Sequence, residues 1–199
     1  MLFVITNSQL CNDNFLSRIE DIAQAHPDRI ILREKHLSED EYMILAEKCM
    51  NICRKYEVPF SVNTFVNTAE KLNISDVHVP LFMLKDNPSI MEKFKTVGTS
   101  IHSIDEAKTA EKLGVSYIIA GHIFATDCKK GLEPRGIDFL KDVKSAVNIP
   151  VLAIGGIGTK QIPPVMQTGA DGICEMSHFM KCTNVQNEIA ELKKLSKKL

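Results

Sequence analysis

Short runs of β-branched and aliphatic residues alternate along the chain with longer stretches whose apolar positions recur at helical spacing. Eight runs read as strands: residues 2–6, 29–32, 59–62, 77–79, 96–100, 117–120, 151–154 and 172–175. Two of them, Tyr117-Ile118-Ile119-Ala120 and Val151-Leu152-Ala153-Ile154, are apolar without alternation, as strands buried on both faces of a parallel sheet are. Helix signals fill the gaps. Ser38-Glu39-Asp40-Glu41 has the form of a capping box and predicts a helix to about Lys55. Ser103-Ile104-Asp105-Glu106 and Thr183-Asn184-Val185-Gln186 repeat that form, and Gly114 stands where a terminating glycine would close the helix opened by the first of these. Pro163 and Pro164 fit only the first turn of a helix that Gly169 would end. The stretch between the third and fourth strands leaves room for a helix of one or two turns.

Alternating strand–helix units imply a parallel sheet with helical cover. Eight of them favour closure into a compact (β/α)8 barrel, of the TIM type, over an open doubly wound sheet. One α/β domain is expected over residues 1–199, at the short end for a fold in which ~250 residues is typical. Composition changes this picture little. Hydrophobic residues make up 44% and charged residues 25%, and the net charge of −1 offers no basic field for nucleic acid. No apolar run approaches the ~18 residues of a membrane span, and the apolar start lacks a basic leader segment, so a cytosolic location away from membranes is expected. None of the six cysteines forms a C-x-x-C pair. Cys49 and Cys53, four apart in a helical pattern, read as packing residues rather than as ligands or a disulfide.

In such a barrel the chemistry sits where the strands end, and polar residues and glycines gather there. Gly155-Gly156 follows the seventh strand; paired glycines let the backbone approach a ligand and offer N–H groups to an anion. Ser177 follows the eighth, before a short predicted helix, and the two loops together form the usual phosphate site of a barrel. In Arg33-Glu34-Lys35, extended geometry puts Arg33 and Lys35 on one face and Glu34 on the other; Arg33 suits a carboxylate or phosphate. Ser100 and His102 end the fifth strand. His122 follows the buried sixth strand and can both take and give a proton near neutrality, with Lys129 in the next loop to balance an anion. His26, His36, His78 and His178 have no ligand-like spacing and read as structural. Carboxylates lie on predicted helices, so a metal site lacks obvious ligands.

These segments resemble the thiamine phosphate synthase superfamily of (β/α)8 barrels along nearly the whole chain. The resemblance rests on Leu32-Arg33-Glu34-Lys35, Ser100-Ile101-His102-Ser103 with Glu106-Ala107, Arg135-Gly136, Ala153-Ile154-Gly155-Gly156, and the run from Gly121-His122-Ile123-Phe124 to Thr126-Asp127-Cys128-Lys129-Lys130-Gly131. The last run is similar to the TenI-type thiazole tautomerases. That branch implies a metal-free and cofactor-free isomerase that aromatises a carboxythiazole phosphate tautomer, with His122 as acid and base. Gly155, Gly156 and Ser177 would hold the phosphate, and Arg33 and Lys129 would meet the carboxylate or balance charge.

The synthase branch implies a different reaction, joining a pyrimidine methyl diphosphate to a thiazole phosphate. It uses Mg²⁺ held by an aspartate after an asparagine at the third strand and by another beyond the fourth. Here those places read Asn63-Thr64 and His78-Val79-Pro80-Leu81-Phe82-Met83, and Ile31 replaces a glutamine. Asp76 and Asp86 lie nearby, the first before the strand and the second beyond it. The tautomerase is therefore the expectation, with the Mg²⁺-dependent synthase or a non-catalytic thiazole-phosphate-binding regulator as alternatives. The expected partner is a small thiazole phosphate, and self-association into a homo-oligomer is left open.

Overall fold

The computed structural model describes residues 1–196 and has eight strands in chain order: β1 (Leu2–Ile5), β2 (Arg29–Leu32), β3 (Phe60–Asn63), β4 (Asp76–His78), β5 (Thr96–Ile101), β6 (Tyr117–Gly121), β7 (Val151–Ile154) and β8 (Gly172–Glu175). They form one closed parallel barrel in sequence order, with β8 pairing back onto β1. The helices are α1 (Phe15–Gln24), α2 (Glu39–Lys55), α3 (Val66–Lys71), α4 (Leu81–Asp86), α5 (Ile90–Lys93), α6 (Ile104–Lys112), α7 (Gly136–Ala146), α8 (Ile162–Gln167), α9 (Ser177–Lys181) and α10 (Val185–Ser196). The fold is the compact (β/α)8 barrel that the periodicity predicts. Residues 197–199 of the expected single domain lie outside the described residues.

The capping signals hold unequally. At α2 the box is reciprocal: Ser38 caps the Glu41 N–H while the Glu41 carboxylate accepts from the Ser38 N–H at 2.9 Å. At α6 only half of it forms. Ser103 Oγ accepts from the Glu106 N–H at 3.1 Å, but the Glu106 carboxylate accepts from the His102 N–H instead, at 2.5 Å. At α10 the cap is Asn184 rather than Thr183, its side chain accepting from the Asn187 N–H. The prolines of α8 occupy its first turn, and Gly169 follows that helix with a φ of +84°.

Two apolar layers result from strand alternation. Outward residues such as Val4, Leu32, Val62 and Ile118 pack under the helices with Tyr42, Cys49 and Cys53. Inward residues Phe3, Ile5, Ile31, Tyr117, Ile119, Leu152 and Cys174 fill the barrel. All six cysteines are free thiols, and burial pushes the Cys49 and Cys53 thiols well up. No helix among the described residues is long and apolar enough to cross a membrane.

One buried hydroxyl ties the fold to its upper rim. Tyr42 Oη donates to the Leu32 carbonyl at 2.5 Å and accepts from the Asn63 N–H at 3.1 Å, bracing the ends of β2 and β3 from α2. Tyr42→Phe should cost about 1–3 kcal/mol, because both backbone groups lose a buried partner. Urea unfolding measures this; an unchanged midpoint would show that the bond contributes no net stability.

Candidate functional site

A cavity of about 550 Å³ opens at the C-terminal end of the barrel. All nine residues singled out from sequence border it: Arg33, Lys35, Ser100, His102, His122, Lys129, Gly155, Gly156 and Ser177. A neighbouring depression of about 720 Å³ shares Arg33, Thr126, Cys128, Met176 and Ser177 with it.

The alternation expected of Arg33-Glu34-Lys35 is present. Glu34 is buried outside the barrel, where its carboxylate accepts from Thr6 Oγ1 at 2.6 Å, Ser8 N–H at 2.8 Å and Ser8 Oγ at 2.7 Å. That anchor fixes the strand end, and the two flanking cations border the cavity. Partial burial, then Arg33, then Lys129 lower the Lys35 pKa, so these three cations share one space. Lys85, at the end of α4, borders the same cavity. Among the described residues none of these four side chains makes an ion pair, whereas the adjacent Lys130 pairs with Asp127 at 3.6 Å.

The paired glycines have a packing reason as well as a ligand one. Gly155 has a φ of +103°, and a Cβ there would lie 2.5 Å from His122 Cβ; at Gly156, φ is +65° and a Cβ would lie 2.4 Å from the Ala125 carbonyl oxygen. The turn after β7 is thus pressed against the segment after β6, which also donates Ile123 N–H to Ile154 O and Phe124 N–H to Gly155 O, each at 2.9 Å. Gly155→Ala should destabilise the protein by at least about 2 kcal/mol, since strained backbone and a clash with main chain act together. A thermal melt of the variant matching the parent would contradict this packing.

His122 is buried, and its Nε2 lies 3.3 Å from the Leu132 carbonyl oxygen. Its own carbonyl accepts from the Arg135 N–H and that of Ile123 accepts from the Gly136 N–H, each at 3.0 Å, so it closes the loop carrying Lys129. Ser177 opens α9, a helix of five residues. His102 is exposed at the rim; burial and then Lys129 lower its pKa, while Glu106 opposes them.

His78 was read as structural, yet it borders the cavity. Its Nε2 is 2.9 Å from Ser100 Oγ and its Nδ1 3.2 Å from Tyr117 Oη. Burial first, then Arg29 and Arg33, push its pKa down to about 3, so the imidazole is neutral at pH 7. Asn63, His78 and Ser100 are the inward polar residues near the ends of three consecutive strands, His78 alternating with the outward Val77 and Val79. Asp76 faces the other barrel end, pairing with Arg29 at 3.0 Å. Asp86 ends α4 exposed and does not border the cavity.

Carboxylates are scarce here. Glu106 is engaged by the His102 N–H, and burial raises the Glu175 pKa to about 8, against a hydrogen bond from the Met176 N–H. Glu175 follows the inward Cys174 at the end of β8 and, like it, borders the cavity. At the ends of β3 and β4 the polar groups are an amide, a hydroxyl and the His78 imidazole, beside an apolar wall of Pro80, Leu81 and Phe82. Asn63 is already committed, its Nδ2 donating to the His78 carbonyl at 3.0 Å and its Oδ1 accepting from Thr64 Oγ1 at 3.0 Å. Among the described residues no group of three or more His, Cys, Asp or Glu side chains could hold a metal ion. This donor set does not fit Mg²⁺, which is normally bound through carboxylates.

The sequence profile described as thiamine monophosphate synthase matches residues 2–179. The chain belongs to that family. A thiamine-phosphate synthase of Clostridium tetani is 31% identical over 96% of this chain and 93% of its own length. One from Caldanaerobacter subterraneus is 35% identical over 86% of this chain and 82% of its own. Among solved structures, a thiamine phosphate pyrophosphorylase from Pyrococcus furiosus superposes with a TM-score of 0.84 at 27% identity, covering 99% of this chain and 95% of that one. These relatives overturn the tautomerase expectation. They are named as synthases, so the class they point to is transferase rather than isomerase.

Proposed function

We propose that the chain is a thiamine-phosphate synthase, a transferase that joins a pyrimidine methyl diphosphate to a thiazole phosphate. The observation that favours this on the geometry is that two anion-binding elements border one cavity. The Gly155-Gly156 turn with Ser177 is one, and the cations Arg33, Lys35 and Lys129 are the other. Two phosphorylated substrates, one of them a diphosphate, suit a cavity with both elements, the larger charge lying at the three cations. The synthase-named relatives, matched over nearly their full length, support the same reading.

In this reaction a bond forms to the methylene carbon of the pyrimidine as its bond to the diphosphate oxygen breaks, and diphosphate departs with the electron pair. Charge therefore grows on the leaving group in the transition state, and cations placed there lower the barrier. Arg33 can bind two oxygens at once, and Lys35 and Lys129 add mobile point charges. The glycine turn and Ser177 hold the thiazole phosphate, setting the distance between the reacting atoms. His122 acts through the loop it closes, keeping Lys129 over the cavity. Neutral His78, fixed by Tyr117, orients Ser100 at the cavity wall.

The test is incubation of the purified protein with both substrates and detection of the product by mass. Thiamine phosphate formed at a rate proportional to protein concentration is expected. Intact substrates at every protein concentration, with or without Mg²⁺, would overturn the reading.

A further inference from the structure

The cavity is built for a polyanion, yet the walls that would carry a divalent ion are made of an amide, a hydroxyl, an engaged imidazole and apolar side chains. From this mismatch we infer that the protein binds the diphosphate group directly through Arg33, Lys35 and Lys129, without a divalent metal ion. The inference rests on the synthase reading for its substrate, but its site stands on the cavity itself.

Three observations carry it. The ends of β3 and β4 present Asn63, Thr64, His78, Pro80 and Leu81; both polar ends of the Asn63 amide are engaged, and the two ring nitrogens of His78 lie against Tyr117 and Ser100. Four cations border the cavity without ion-pair partners among the described residues, Lys85 being the fourth. Of the two carboxylates bordering the cavity, Glu106 is held by the His102 N–H, and Glu175 is buried, with its pKa raised to about 8 by that burial. A divalent cation entering this space meets uncompensated like charge and no carboxylate cage. A free diphosphate meets the opposite: several cations around one cavity, with the Lys35 pKa lowered first by burial and then by Arg33 and Lys129, whose repulsion the anion relieves. Guanidinium and ammonium groups supply the charge and hydrogen bonds that a metal otherwise gives to phosphoryl oxygens.

Titration calorimetry of the full chain with inorganic diphosphate tests this, once in EDTA and once in excess Mg²⁺. Saturable binding in EDTA, not tightened by Mg²⁺, is expected. Lys35→Met should weaken it by about tenfold or more, the effect of one charge-assisted hydrogen bond. Binding that appears only with Mg²⁺, or is at least tenfold tighter with it, overturns the inference whether or not the variant folds. Product assays in the same two buffers separate this failure from that of the synthase reading. Thiamine phosphate formed only with Mg²⁺ keeps the synthase and overturns the metal-free site. Diphosphate bound in EDTA with no product in either buffer keeps the site and overturns the synthase.

Discussion

Replacing Arg33 and Lys35 together by methionine is expected to lower kcat/KM for thiamine phosphate formation by about 10²- to 10⁴-fold. Each side chain is read as making a charge-assisted hydrogen bond to the diphosphate, worth about 1.5–3 kcal/mol, and about 1.4 kcal/mol is a factor of ten. The loss should exceed the change in ground-state affinity, because negative charge on the leaving group increases as its bond breaks. Stability should hardly move. Neither cation is in an ion pair among the described residues, and removing both relieves like-charge crowding with Lys129. Lys130→Met is the control: that side chain is exposed, pairs with Asp127, and should leave kcat/KM within about twofold. Steady-state kinetics with urea unfolding on the same preparations decide it. A double variant with parental kinetics, or one that loses activity only by unfolding, would remove these cations from the mechanism.

Stability should be greatest on a plateau between about pH 4.5 and 6.5, with a limb falling on each side. Two buried groups set it. Glu175 has a pKa of about 8 in the fold against an ordinary 4.5, and His78 about 3 against 6.5. Raised in the fold, Glu175 contributes stability that is complete below pH 4.5 and is lost as pH rises toward 8, because the unfolded chain ionises there and the folded one does not. Depressed in the fold, His78 contributes stability that is complete above pH 6.5 and is lost as pH falls toward 3, because the unfolded chain takes up a proton that the folded one refuses. Between the two ordinary values the effects oppose each other and cancel. Beyond them each limb slopes on the order of 1 kcal/mol per pH unit. Glu175→Gln should abolish the alkaline limb, leaving the variant a few kcal/mol more stable than the parent at pH 8 and similar to it at pH 4. Urea unfolding across this range checks the shape. An alkaline limb that persists in the variant would show that another group sets it.

The barrel was legible because each unit carries its own local signals. Apolar runs without alternation mark β6 and β7, Ser38 and Glu41 start α2, and two prolines followed by a glycine bracket α8. Strand-end chemistry was legible for the same reason: a closed barrel sends every loop after a strand to one mouth. His78 was not, because a histidine between two valines carries no sign of its partners. Tyr117 and Ser100, which fix it, lie 39 and 22 residues away in the chain. The capping of α6 went astray through competition, Glu106 finding the His102 N–H in place of its own cap. The missing metal carboxylates point away from the reaction class that the relatives of the whole chain carry. Cations bordering the same cavity offer another way to hold diphosphate, and histidine at position 122 has a loop to close.

Phosphorus NMR of the protein with the pyrimidine diphosphate and the thiazole phosphate, each alone and then together, tests the transferase reading most directly. The prediction is no change with either substrate alone, and with both, one inorganic diphosphate released for each thiamine phosphate formed. Release of diphosphate without a matching thiamine phosphate signal, or no release at all, would contradict it.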